Sequence, residues 1–129
     1  MYCLDTDIII EFLRGNKKII SKIKEKSNGL LFLTTLSLCE LYKGAFLSSR
    51  KEKEVENIQT LLTYFGLITI TNKTAEIFGK TYKTLTDSGK LTQEFDLLNA
   101  SITMTHDFIL VTRNKKHFIN ISDLKIEEW

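Results

Sequence analysis

Proline is absent from this chain, and no repeat, low-complexity tract or linker-like stretch interrupts it, so nothing marks a boundary between domains. Only two cysteines occur, Cys3 and Cys39. Both lie among apolar residues without a C-x-x-C spacing, which gives no sign of a zinc site and predicts two buried thiols in a reducing cytosol. A Gly-rich phosphate cradle is also missing, which disfavours a hydrolase of small phosphorylated molecules. No apolar run approaches the roughly 18 residues of a membrane span, and the N-terminus enters an apolar run at once without a basic leader, so a soluble cytoplasmic protein with no membrane partner is expected. Charge of one sign is lacking too: 18 Lys+Arg against 16 Asp+Glu leave a formal +2, which neither demands nor excludes a nucleic-acid partner. What is present is 129 residues, 43% of them hydrophobic, a size and composition that suit one domain over residues 1–129 with one core.

Short apolar runs alternate with helical patterns. Y-C-L-D reads as a buried strand with Asp5 at its carboxyl end, followed at once by a helix rich in Ile8, Ile9, Ile10, Phe12 and Leu13, capped by Asp5 or Thr6 and ended by Gly15-Asn16. A second helix runs through Ile19, Ile20, Ile23 and Lys26 and stops near Ser27-Asn28-Gly29. Leu30 to Leu33 read as the next strand, and Thr34, Thr35 or Ser37 can cap the helix carrying Leu38, Glu40 and Leu41. A polar connection, Ser48 to Glu54, leads into a helix through Val55, Ile58, Leu61, Leu62 and Phe65, ended by Gly66. Leu67 to Ile70 form a third strand candidate, and Asn72 or Thr74 can cap a helix through Ile77, Phe78, Tyr82 and Leu85. Glu94-Phe95-Asp96 open the last long helix, Phe108 to Thr112 form a strand, and Leu124 to Ile126 suit an edge strand. This alternation predicts an α/β fold, a three-layer α/β/α sandwich with a mostly parallel central sheet.

Three acidic residues, Asp5, Glu40 and Asp96, each lie where an apolar run ends or a helix begins. Asn114 closes the last such run in L-V-T-R-N. In a parallel sheet, side chains at the carboxyl ends of different strands and on the first turns of the following helices converge on one crevice. Three carboxylates meeting there repel one another unless a cation sits among them, and hard divalent ions such as Mg2+ or Mn2+ take oxygen ligands. Taken singly, Asp5 and Asp96 could cap helices and Glu40 could form a salt bridge. Glu40 borders a core-facing stripe, however, and a partly buried carboxylate needs a partner. Together the three point to metal-dependent phosphoester chemistry.

The sequence resembles the PIN-domain ribonucleases, most closely the VapC-type toxins of toxin–antitoxin pairs. The resemblance rests on L-D-T-D at Leu4 to Asp7, S-x-x-E at Ser37 to Glu40, F-D-L-L-N-A-S at Phe95 to Ser101 and I-L-V-T-R-N-K-K-H-F at Ile109 to Phe118, in that order across essentially the whole chain. It implies a PIN-like fold, an endoribonuclease that cuts RNA with Mg2+ or Mn2+, a homodimer, and a cognate antitoxin whose C-terminal segment inserts an Arg or Lys near the cage. It assigns Asp5, Glu40 and Asp96 as metal-binding catalytic carboxylates. Many relatives carry a fourth carboxylate where this chain has Asn114, which can orient a water or ligate weakly but adds no negative charge. Asp7 stands where relatives often have asparagine; it either restores part of that charge or caps the first helix.

Thr6 and Thr112 can position waters or phosphate oxygens, or serve structure alone. Arg14, Lys43, Arg113, Lys115 and Lys116 are candidate phosphate contacts, the last three because they follow the strand ending at the predicted site. His117 reads as structural, since the chemistry requires no histidine base. The alternatives are a PIN-like RNA- or DNA-processing nuclease without a toxin role, and an inert nucleic-acid-binding module, against which the three carboxylates argue.

Overall fold

A computed structural model describes residues 1–27 and 30–129. The elements follow the order β1 (Tyr2–Leu4), α1 (Thr6–Leu13), α2 (Lys17–Lys26), β2 (Leu31–Thr34), α3 (Thr35–Leu47), α4 (Lys51–Leu61), β3 (Gly66–Ile68), α5 (Asn72–Asp87), α6 (Glu94–Thr105), β4 (Ile109–Val111), a 3-10 turn (Lys115–His117) and β5 (Lys125–Glu127). The five strands form one sheet in the order β3-β2-β1-β4-β5. All four pairings are parallel. From β1 the chain adds β2 and β3 on one side and then crosses to β4 and β5 on the other, so the strand order reverses between β1 and β4. Crevices at the carboxyl ends of the strands open at such a reversal.

Alternation along each strand separates the two faces. Leu4, Leu33 and Val111 join Ile8, Ile9, Ile19, Leu41, Ala45, Ile58 and Leu61 in one apolar cluster, which places α1 to α4 on that face. Leu110 packs with Leu85, Leu97, Ala100 and Phe118. Cys3 packs with Ile68, Ile102 and Phe108. Helices α5 and α6 therefore cover the opposite face, completing the expected three layers. Burial pushes the Cys3 thiol up to about 12, leaving it a packing group.

Local chemistry explains the boundaries. Asp5 is extended and accepts from the Thr6 N–H, capping α1. Gly15 takes φ +82, the left-handed conformation that closes a helix cheaply. Asn16 then caps α2 through its Oδ1, while its Nδ2 donates to Glu11 at 2.7 Å. The expected α2 stop is met at Ser27, its C-cap; Asn28 and Gly29 lie outside the described residues.

Several expectations need correction. Cys39 is exposed, because the helical period of α3 turns Ser37, Leu41 and Ala45 inward and position 39 away from them. Strand β2 starts one residue late, with Leu30 exposed. Helix α4 begins at Lys51, inside the stretch read as a connection, and stops at Leu61. Gly66 opens β3 instead of ending a helix, since a Cβ there would overlap the Phe32 ring. Thr69 and Ile70 lie beyond β3. The cap of α5 is Thr71, whose hydroxyl accepts from the Thr74 N–H while the Thr74 hydroxyl accepts from the Thr71 N–H.

Candidate active site

The crevice sits where β1 and β4 run side by side. Leu4 pairs with Val111, so Asp5 and Thr112 leave the sheet together, and Asp5 N–H donates to the Val111 carbonyl at 2.9 Å. The Asp5 carboxylate is largely buried and receives three donors. Its Oδ1 accepts from the Thr6 N–H at 2.9 Å and from Asn99 Nδ2 at 3.2 Å, and its Oδ2 accepts from the Thr112 hydroxyl at 2.9 Å.

Burial, followed by the charges of Asp7 and Asp96, nonetheless raises Asp5 to about 6, against the lowering effect of its donors. Asp5 and Asp96 are therefore near enough to feel each other. Glu40 joins them through Thr6: the Thr6 hydroxyl donates to Glu40 Oε2 at 2.5 Å while the Thr6 N–H holds Asp5. Asp96, in the first turn of α6, lies with its Oδ2 3.3 Å from His117 Nδ1. His117 thus stands against one of the three carboxylates.

Asp7 occupies the neighbouring corner. Its Oδ2 accepts from the Arg113 N–H at 3.0 Å and from Asn114 Nδ2 at 3.3 Å, and it lies 3.4 Å from the Thr112 hydroxyl, whose one hydrogen goes to the nearer Asp5. Its Oδ1 is buried without a hydrogen-bond partner. Burial raises the Asp7 carboxyl above the usual range, opposed mainly by the Arg113 N–H. Asn114 therefore stands beside Asp7, with its own N–H donating to the Thr112 hydroxyl at 3.1 Å. Among the described residues, no three His, Cys, Asp or Glu side chains already stand together as an ion cage; Glu40 is held by Thr6, and Asp96 lies against His117. The donor set suits a hard cation all the same. Its acceptors are carboxylate and hydroxyl oxygens, and one buried carboxylate oxygen, Asp7 Oδ1, has no hydrogen-bond partner among the described residues.

The basic candidates divide into two groups. Arg14 and Arg113 converge on Glu11, at 3.5 and 3.2 Å. Such partly exposed pairs contribute little to stability. Lys115 and Lys116 are exposed on the 3-10 turn that follows Asn114. Lys43 is exposed on α3, and no hydrogen bond among the described residues ties it to the carboxylates.

Asn99 was not foreseen. It lies one turn after Asp96 on α6 and is 2% exposed. Its Nδ2 reaches Asp5, and its Oδ1 accepts from the Thr34 hydroxyl at 2.5 Å. The available signal was a lone amide between Leu97, Leu98, Ala100 and Ile102 on a helix face that is otherwise apolar or small.

The PIN domain family model matches residues 2–124. Ribonuclease VapC1 of Haemophilus influenzae (strain R2866) is 30% identical over 131 residues, spanning 100% of this chain and 98% of that protein. The fold is similar to that of VapBC2 from Rickettsia felis bound to a DNA fragment from their promoter, with a TM-score of 0.94, 25% identity, and 99% and 98% of the two chains covered. It is also similar to VapBC-1 from nontypeable Haemophilus influenzae, with a TM-score of 0.88, 30% identity, and 99% and 97% covered.

Proposed function

The chain belongs to the PIN-domain family and is akin to the VapC ribonucleases along its whole length, and we propose that it is the endoribonuclease toxin of a type II toxin–antitoxin pair, cutting RNA with a divalent ion held by Asp5, Glu40 and Asp96. The observation that carries this reading is the crevice at the β1/β4 reversal, where three donors fix a largely buried Asp5 beside Asp7, and where burial first, then the charges of Asp7 and Asp96, raises Asp5 to about 6. Carboxylate oxygens gathered at the crevice suit a hard cation, and the basic side chains beside it suit a phosphate.

The protein's own groups divide the labour. Asp5 is fixed by three donors. Thr6 spans Asp5 and Glu40, so its hydroxyl can pass to a water or phosphate oxygen when Glu40 turns to the ion. Asn114 and the Arg113 N–H hold Asp7 on the opposite wall, and Thr112 ties that wall to Asp5. Lys115 and Lys116 hold the RNA backbone outside the crevice, and Arg14 and Arg113 exchange Glu11 for phosphate oxygens. When a Mg2+ or Mn2+ ion is bound, the phosphodiester charge is offset and a water is made acidic enough to attack.

An antitoxin segment has a natural seat. A groove of about 400 Å3 between α1, α3 and α4 is lined by Ile10, Leu13, Leu41, Ala45 and Ile58, with Glu40 among its walls. An apolar segment carrying an Arg or Lys would fill the groove and pair that cation with Glu40, in competition with the ion. Leu41 and Leu61 belong to the core, while Ile10 and Leu62 remain half-buried at its margin. No helix among the described residues is long and apolar enough to cross a membrane, and we read the chain as one cytoplasmic nuclease domain that works as a homodimer.

The test is to incubate purified protein with total RNA in Mg2+ or Mn2+ and to sequence the RNA ends, beside a chelated control and a single-stranded DNA arm. Discrete metal-dependent RNA ends support the reading, and cutting of DNA alone would overturn it. Co-expression with the product of the neighbouring small open reading frame, sizing and an RNase assay then test the toxin role. Failure of that product to bind would remove the toxin assignment.

A further inference from the structure

Asn99 is a polar side chain in a place built for an apolar one. It lies on the buried side of α6, between Leu97 and Ala100, and is 2% exposed. Both ends of its amide are used. The Thr34 hydroxyl, at the carboxyl end of β2, donates to its Oδ1 at 2.5 Å, and its Nδ2 donates to Asp5 Oδ1 at 3.2 Å. Thr34 is itself held, since its hydroxyl accepts from the Ser37 N–H at 3.0 Å and caps α3. The amide is thus clamped from behind.

Its orientation is determined as well. Turning the amide over would set its oxygen against the Asp5 carboxylate, so the charge on Asp5 and the Thr34 donor select the same orientation. The amide has a structural part, since removing it alone would leave the buried Thr34 hydroxyl without this acceptor, and it adds something at its other end. What it adds is a direction for Asp5.

A carboxylate has about four lone-pair sites. On Asp5, the Thr6 N–H and Asn99 occupy both sites of Oδ1, and Thr112 occupies one site of Oδ2. One site on Oδ2 is left. We infer that Asn99 is a positioning residue that makes Asp5 a one-oxygen metal ligand through Oδ2, by filling Oδ1 from behind and fixing the turn of the carboxylate. The inference rests on the proposed divalent-ion reading of the crevice. Without Asn99, Oδ1 would regain a free site, and the carboxylate could turn or take water, losing the alignment on which ion affinity depends. Groups that orient metal ligands typically set affinity or activity by about 10–100-fold.

The experiment compares wild type, Asn99→Leu, Asn99→Ala and Asp5→Asn. Each is titrated with Mn2+ by calorimetry in the absence of RNA, and each is melted thermally in chelator. Asn99→Leu keeps the branched shape while removing the donor; Asn99→Ala opens space and carries the test if the leucine variant does not fold. The expected result is Mn2+ binding by wild type, binding weaker by about tenfold or more in both Asn99 variants, and none measurable in Asp5→Asn. A purely structural Asn99 would lower the melting temperature and leave Mn2+ affinity per folded molecule unchanged, and that result would overturn the inference while sparing the metal reading. No Mn2+ binding by folded wild type would overturn both.

Discussion

The Asp5 carboxylate should make the metal-free protein less stable as the pH rises, and Asp5→Asn should remove that loss. In the folded state burial and the Asp7 and Asp96 charges lift Asp5 from 3.8 to about 6. A carboxyl group with a raised folded pKa binds its proton more tightly folded than unfolded. Its favourable contribution is therefore complete below about pH 3.8 and is lost as the pH climbs through about 6. At about 1.4 kcal/mol for each tenfold change in proton affinity, the loss comes to about 3 kcal/mol. Asp7 shifts in the same direction, whereas Glu11 and Glu76 are lowered by their partners and act oppositely. The difference between wild type and Asp5→Asn isolates the one group. Asparagine fits the site, because its carbonyl can keep the Thr6 and Asn99 donors while its amide faces the Thr112 hydroxyl, which turns to Asp7. Calorimetric melts in chelator should show the variant melting about 5–10 °C above wild type near pH 7 and within a few degrees of it near pH 4. A variant that is less stable at neutral pH, or a difference independent of pH, would refute the electrostatic reasoning.

Asn114→Asp should bind Mn2+ more tightly by calorimetry and melt lower in chelator, since it adds a charge to the crevice where Asn114 now donates to Asp7 at 3.3 Å. The double change Lys115→Ala and Lys116→Ala should weaken RNA binding in filter assays for all sequences alike and reduce its salt dependence, by about one phosphate contact per lysine. Gly66→Ala should cost about 1–3 kcal/mol in urea unfolding, because its new Cβ meets a Phe32 ring already packed on Phe108 at 4.8 Å between centroids; cleavage per folded molecule should be unchanged.

Where the sequence was legible, a local pattern carried the information. Asp5 and Asn114 end apolar runs that became β1 and β4, Glu40 lies in the second turn of α3, and Asp96 lies in the first turn of α6. A parallel sheet brings such positions to one edge whatever their separation in the chain. Asn99 escaped because its partner is 94 residues away and nothing in its own helix says that a buried amide will meet a carboxylate. Position 39 was misjudged because apolar neighbours in sequence are not neighbours on a helix. Gly66 was misread because the reason for it, the Phe32 ring on the adjacent strand, lies outside any local window. The tie of Arg113 to Glu11 was hidden for the same reason, whereas Arg14 lies only three residues from Glu11 and that pair was open to a local reading.

The central claim is that carboxylates at the β1/β4 crevice hold the ion that drives RNA cleavage. The most direct measurement is the rate at which one end-labelled RNA is cut by wild type, Asp5→Asn and Asp96→Asn across a Mn2+ titration, with each protein's folding checked by its melt. The predicted result is cleavage by wild type that rises with Mn2+ and stops in chelator, and at least a hundredfold loss, as an order of magnitude, in both folded variants. Cleavage by wild type that persists in chelator, or folded variants that cut at the wild-type rate, would contradict it.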